Sequence, residues 1–126
     1  MPRTVLIADD NLMARTLLRD CLQGLECTIT EALDGEQALA ALAAAPPDVL
    51  LLDLVMPRVS GLDVLRAIKE KGLRTRVLVI SGMDTQSLSQ QTLVEGAHGF
   101  IGKPFHPLEV KAAVEGAFAA FAGAGP

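Results

Sequence analysis

Three runs along the chain are apolar with no polar alternation: Thr4 to Ala8, Asp48 to Asp53 and Arg76 to Ser81. Strands wet on one side alternate, so these runs predict strands buried on both faces. Two weaker runs join them: Cys27 to Ala32, with β-branched Thr28, Ile29 and Thr30, and His98 to Ile101 beside glycines. Between the strands the apolar spacing becomes helical. In Asn11 to Leu22 the residues Leu12, Leu17, Leu18, Cys21 and Leu22 fall largely on one face, and Gly24 ends the segment. Asp34-Gly35-Glu36-Gln37 is a helix-start signal ahead of Ala38, Leu39 and Leu42, and Pro46-Pro47 stops that helix. Gly61 to Lys71 sets Leu62, Leu65 and Ile68 on one stripe and stops at Gly72. Asp84 is a candidate cap for a helix reaching about Glu95, and Pro107 to Phe121 offers Val110, Val114, Phe118 and Phe121 on a last helix.

Five successive β-α units call for an α/β fold: a parallel sheet with right-handed crossovers and helices on both faces. With 126 residues the chain fits one domain that can bury a core without disulfides or a structural metal. That domain is expected over residues 1–121, with Ala122-Gly123-Ala124-Gly125-Pro126 as a disordered tail. The fourth helix carries a thin apolar stripe and several poor helix formers, so it is expected to be the loosest.

Composition narrows the classes. Hydrophobic residues make up 50%, yet the longest apolar stretches are strand-length, far short of the roughly 18 to 20 residues of a membrane span. Met1 to Asp10 offers four apolar residues followed by two acids, which is no signal-peptide core. A cytoplasmic protein without membrane contact is expected. A net charge of −4 and a pI near 5.0 argue against direct nucleic-acid binding, which needs a basic stripe. The densest basic stretch, Arg66, Lys69, Lys71, Arg74 and Arg76, reads as the solvated end of a helix and its loop. Cys21 and Cys27 have neither metal nor redox spacing and read as small buried hydrophobes. His98 is expected to be partly buried packing and His106 a surface residue near a helix start.

In a sheet of this kind ligands bind outside the carboxyl ends of the strands. The first strand ends in Asp9-Asp10, the third in Asp53 and the fourth in Ser81, and the fifth is followed by Lys103-Pro104. Taken singly, each has an ordinary reading: Asp9 and Asp10 as polar strand-end residues with Asp10 capping a helix, Ser81 as a capping hydroxyl, Lys103 as a solvated lysine. Asp53 is harder to place so, because it interrupts an apolar run. Three converging carboxylates repel one another unless a cation sits among them. All-oxygen ligands suit Mg²⁺, with Mn²⁺ as a substitute, and disfavour zinc. A carboxylate so neutralised can accept a phosphoryl group without a general base. The metal would bridge Asp10, Asp53 and one phosphoryl oxygen, Lys103 would pair with a second, and the Ser81 hydroxyl would donate to a third.

Four motifs in order carry a family resemblance: Asp9-Asp10-Asn11; Asp53-Leu54-Val55-Met56-Pro57 with Gly61; Ile80-Ser81-Gly82; and Gly96 to Phe105, with Lys103-Pro104 inside it. The chain resembles the receiver domain of two-component response regulators, including the stand-alone chemotaxis type, over nearly its whole length. The resemblance implies a flavodoxin-like, doubly wound sheet in strand order 2-1-3-4-5 flanked by five helices. It further implies phosphorylation of Asp53 by a sensor histidine kinase, a phosphotransfer protein or a small phosphodonor, followed by slow autocatalytic hydrolysis rather than turnover of free substrates. The resemblance also implies that the Val55 carbonyl joins Asp9, Asp10 and Asp53 as metal ligands, that the peptide before Pro104 is cis, and that Ser81 and Phe100 form the switch. Their movement would alter the face of helix four, strand five and helix five, read by a downstream protein; the expected state is a monomer or weak dimer.

Several positions depart from common choices in that family. Ser81 replaces a frequent threonine, and Phe100 a frequent tyrosine, which removes a hydroxyl-dependent output. Val55 and Met83, each two residues beyond a site residue, cannot orient an attacking water, so a slow loss of phosphate is expected. The weighed alternatives are a phosphorylation-independent receiver-like interaction domain, a small-substrate phosphatase and a flavin module. A phosphatase of the aspartyl-phosphate type usually places its nucleophile after the first strand, whereas Asp53 follows the third, and no Trp, Tyr or phosphate loop favours flavin.

Overall fold

The computed structural model describes residues 3–82 and 86–123. Strands β1 (Arg3–Ala8), β2 (Cys27–Ala32), β3 (Val49–Leu52), β4 (Arg76–Ser81) and β5 (Gly99–Gly102) alternate with helices α1 (Leu12–Cys21), α2 (Gly35–Ala44), α3 (Gly61–Lys71), α4 (Gln86–Val94) and α5 (Pro107–Gly123). The strands form one parallel sheet in the order β2-β1-β3-β4-β5, as the resemblance implies. Val49 to Leu52 and Val77 to Ser81 are buried throughout, which is why their sequences show no alternation. Edge strand β2 is wetter and alternates over part of its length.

Side chains leave a strand on alternate faces, and this divides the core in two. Leu6, Leu50, Leu52, Val77 and Val79 pack with Ala38 and Leu42 of α2 and Val64, Leu65 and Ile68 of α3. On the other face Val5, Ile7, Val49, Leu51, Leu78 and Ile80 pack with Leu18, Cys21 and Leu22 at α1 and Val110 and Val114 of α5. Burying each such aliphatic side chain is worth about 2 kcal/mol.

Local chemistry sets the helix ends. The Asp34 side chain accepts from Gln37 N, and Ser60 and Asp63 form a reciprocal capping box. Gly72 closes α3 in the left-handed region at φ 63°. The cap of α1 is Asn11, whose side chain accepts from Ala14 N at 2.9 Å, so Asp10 does not cap it as one reading allowed. The α1 stripe also differs from expectation: Leu12 and Leu17 are exposed, and Arg15 is buried beside Leu18 and Cys21. Leu18, Cys21, Leu22 and Arg15 lie within about one third of the helix circumference, whereas Leu12 and Leu17 flank it on opposite sides. Helix α5 runs two residues past its expected end, consistent with the helix propensity of Ala122. Residues 124–126, the expected cap Asp84 and the Phe121 side chain lie outside the description.

His98 is exposed rather than partly buried, though its ring is held: Nδ1 accepts from Val77 N at 3.0 Å while His98 N donates to Val77 O at 2.8 Å. Of the basic stretch, Arg66 pairs with Glu95 at 3.4 Å and Lys69 Nζ donates to Val94 O at 3.2 Å, tying the end of α3 to the end of α4. No helix among the described residues is long and apolar enough to cross a membrane.

Helix α4 leaves Leu93 and Val94 exposed, and among its described side chains half-buried Leu88 packs on the α2–α3 side of the core while Thr92 is buried. Hydrogen exchange should therefore find its amides less protected than those of α1; equal protection in the two helices would contradict a loose α4.

Candidate functional site

Chain direction places the chemistry. From β1 the chain crosses to β2 on one side, and from β3 to β4 on the other, so a crevice opens between the ends of β1 and β3. Asp9, Asp10 and Asp53 meet there, with one carboxylate oxygen from each within 4.8 Å of the others. Asp9 and Asp53 are buried and Asp10 is exposed. Asp53 lies one residue past β3, but its N–H still donates to Ala8 O at 2.9 Å, extending the ladder. Gly61 brings α3 close behind it, since a side chain at that position would run into the Asp53 carbonyl.

Asp9 is held at every polar atom. Its N–H donates to Ala32 O at 3.1 Å, its carbonyl accepts from Arg15 Nη1 at 2.8 Å, Oδ1 accepts from Asn11 N at 2.9 Å, and Oδ2 accepts from Lys103 Nζ at 2.9 Å. Lys103 also lies 3.7 Å from Asp53 Oδ2. Asp53 Oδ1 accepts weakly from Val55 N at 3.3 Å, and Val55 itself is 59% exposed at the mouth. Ser81 is fully buried at the end of β4, where its carbonyl accepts from Lys103 N at 2.8 Å. The Lys103–Pro104 peptide is cis, as the resemblance implies. Phe100 is half-buried and packs on the α2–α3 side of the core. The site opens into a cavity of about 360 Å³ lined by both neighbouring aspartates, Asp53, Lys103, Met13, Leu17 and Phe105.

The structure thus brings together Asp9, Asp10, Asp53 and Lys103, with Ser81 at the next strand end; Met83 lies outside the described residues. Sequence reasoning missed Arg15 and its partner Glu31, whose carboxylate Oε1 accepts from Arg15 Nε at 2.9 Å. No sequence signal marked Arg15, because an arginine reads as a surface residue until the partner that allows its burial is known.

Burial pushes the Asp53 carboxyl up from its ordinary value, repulsion from Asp9 adds to that, and Lys103 offsets part of it. One ammonium against three carboxylates leaves the cluster short of positive charge. Hard oxygen donors, with no histidine or cysteine among them, fit a divalent cation of the Mg²⁺ kind.

A family model for the response regulator receiver domain matches residues 5–115. The chain belongs to that family. Chemotaxis protein CheY of Thermotoga maritima is 31% identical over 111 residues, covering 87% of this chain and 92% of that protein. The protein-glutamate methylesterase/protein-glutamine glutaminase 5 of Myxococcus xanthus is 43% identical over 107 residues, 82% of this chain but 30% of the relative. The receiver domain of NarL from Mycobacterium tuberculosis superposes with a TM-score of 0.85 at 36% identity, covering 93% of this chain and 97% of that one. The chain spans less than half the length of several curated relatives, 30%, 46% and 11% in three of them.

As a receiver domain of two-component systems the chain is a signalling module, and a phosphorylation-independent interaction domain is not favoured. Receiver domains are generally not turnover enzymes, and this chain covers 30% of the Myxococcus methylesterase. They bind Mg²⁺ at an acidic pocket and interact with histidine kinases and phosphotransfer proteins.

The raised Asp53 carboxyl has a consequence for stability. A group whose folded value lies above its unfolded value favours folding below the unfolded value, and that contribution is lost as pH rises through the folded value. In chelator, Asp53→Asn is therefore expected to raise the stability measured by urea denaturation at pH 7 by about 1 kcal/mol. The gain should fade as pH drops toward 3.8, the ordinary value of the carboxyl. A variant no more stable than wild type at pH 7 would contradict this account.

Proposed function

We propose that Asp53 is the phosphoacceptor of a receiver unit spanning residues 1–121, with Asp9, Asp10, Asp53 and the Val55 carbonyl holding Mg²⁺, or Mn²⁺ in its place. The observation that carries this reading is the convergence of three carboxylates and one lysine at the carboxyl edge of one sheet. The carboxylate attacks phosphorus as the bond from phosphorus to the donor's leaving group breaks: imidazole nitrogen in a sensor histidine kinase or phosphotransfer protein, acyl oxygen in a small phosphodonor. The cation supplies neutralisation of the transferring group. Lys103, already beside Asp53, pairs with one phosphoryl oxygen, and the buried Ser81 hydroxyl donates to another.

New hydrogen bonds to the phosphoryl group then bias Ser81 and Phe100, and with them the face of α4, β5 and α5, toward a second arrangement. A downstream protein reads that face. The domain works in the cytoplasm, as a monomer or weak dimer, and does not bind nucleic acid itself. Incubation with Mg²⁺ and acetyl phosphate should give a single phosphoryl adduct by intact mass that is absent from Asp53→Asn; an adduct retained in that variant would place the acceptor elsewhere.

Val55 shapes the lifetime of the adduct. Its exposed side chain stands where a polar group would hold an attacking water, and an isopropyl group cannot do so. Val55→Asn is expected to accelerate dephosphorylation several-fold, followed as decay of the adduct after removal of the donor. Unchanged decay would remove Val55 from the account.

A further inference from the structure

Arg15 is buried on α1, and its guanidinium points two ways: Nη1 donates to the Asp9 carbonyl at 2.8 Å and Nε donates to Glu31 Oε1 at 2.9 Å. Glu31 stands on β2, and its second oxygen accepts from Arg19 Nη2 at 2.7 Å and from Arg19 Nε at 3.1 Å. The bond to the Asp9 carbonyl reaches beyond that residue. This carbonyl belongs to the peptide joining Asp9 to Asp10, and because a peptide is planar, fixing its oxygen fixes the plane from which the Asp10 Cα departs. Asp9 is tied at its side chain as well, by Asn11 N and Lys103. Asp10 is exposed, so the direction of its carboxylate depends on the main chain that delivers it.

We propose that Arg15 is a positioning residue for the acidic site, clamping the Asp9–Asp10 peptide from behind while Glu31 holds the guanidinium in place. The inference rests on the reading of Asp9 and Asp10 as metal-holding residues. An arginine suits the task because its rigid fork serves two acceptors on two different elements at a fixed angle. A lysine keeps the charge but not the fork. Arg19 touches only the outer oxygen of Glu31, has a side chain 46% exposed, and so supports the clamp without being part of it.

Calorimetric titration of the full chain with Mg²⁺ tests this, with urea denaturation run on the same samples. Arg15→Lys is expected to weaken Mg²⁺ binding about tenfold, the loss seen when groups that orient metal ligands are removed. Glu31→Gln, which keeps the shape and drops the charge, should weaken it in the same direction by less, and Arg19→Ala should leave it within twofold of wild type. Raised Mg²⁺ should restore labelling of Arg15→Lys by acetyl phosphate, because the phosphoacceptor itself is untouched. Folded Arg15→Lys and Glu31→Gln proteins that bind Mg²⁺ within twofold of wild type would overturn the clamp, leaving Arg15 as a tie between α1 and β2. Should Arg15→Lys fail to fold, Glu31→Gln decides on the same criterion. A wild type that neither binds Mg²⁺ nor takes up a phosphoryl group overturns the site reading itself and this inference with it, an outcome separate from the loss of the clamp alone.

Discussion

Lys103 Nζ stands 2.9 Å from Asp9 Oδ2 and 3.7 Å from Asp53 Oδ2, and without that ammonium two buried carboxylates would face each other with no cation between them. Repulsion of that kind is weakly screened inside a protein, where the effective dielectric falls well below that of water. The lysine reaches the pair from beyond β5, two strands away from β3, a separation of about 10 Å at ordinary strand spacing. Its main chain is tied to the end of β4, where Lys103 N donates to the Ser81 carbonyl at 2.8 Å. The site is therefore a property of the strand order as much as of the four residues, since another order would take the lysine out of reach.

The same dependence explains how much of the fold was legible. Buried strands such as Val49 to Leu52 announce themselves because both faces demand apolar residues, and helix ends do so through Asp34 and Gly72, whose chemistry is local. Helix α1 resisted because a leucine count cannot tell a stripe from its flanks. Leu12 and Leu17 border the buried arc, and the position that completes it belongs to a charged residue. Arginine reads as surface on any hydropathy scale, so its burial becomes visible only when Glu31, sixteen residues on, folds beside it.

The candidate site divides along the same line. Asp9, Asp10, Asp53 and Lys103 could be placed together from sequence because strand ends in a parallel sheet share one edge, and topology then does the assembling. The groups that hold them in orientation could not, because Arg15 and Glu31 act through a main-chain carbonyl that carries no sequence signature. Asn11 shows the same limit: the sequence offered Asp10 as the cap, whereas Asn11 caps α1 and its amide N–H also donates to Asp9 Oδ1, so one residue starts the helix and fixes an acid.

Charge sets the acids of the site apart from the ion pair behind them. Burial and Asp9 push the Asp53 carboxyl up, so acid relieves that group. Glu31 goes the other way: the hydrogen bond from Arg19 first, and that from Arg15 after it, hold its carboxyl below the usual range. A group with a lowered folded value contributes stability above its unfolded value and loses it as pH falls through the folded one. The two shifts therefore part the groups: falling pH neutralises Asp53 first, and Glu31, which holds Arg15 and through it the Asp9–Asp10 peptide, gives way only in stronger acid. A cation bound among the oxygens neutralises the cluster while leaving Glu31 ionised, which keeps the main chain of the site in place as its charge is met.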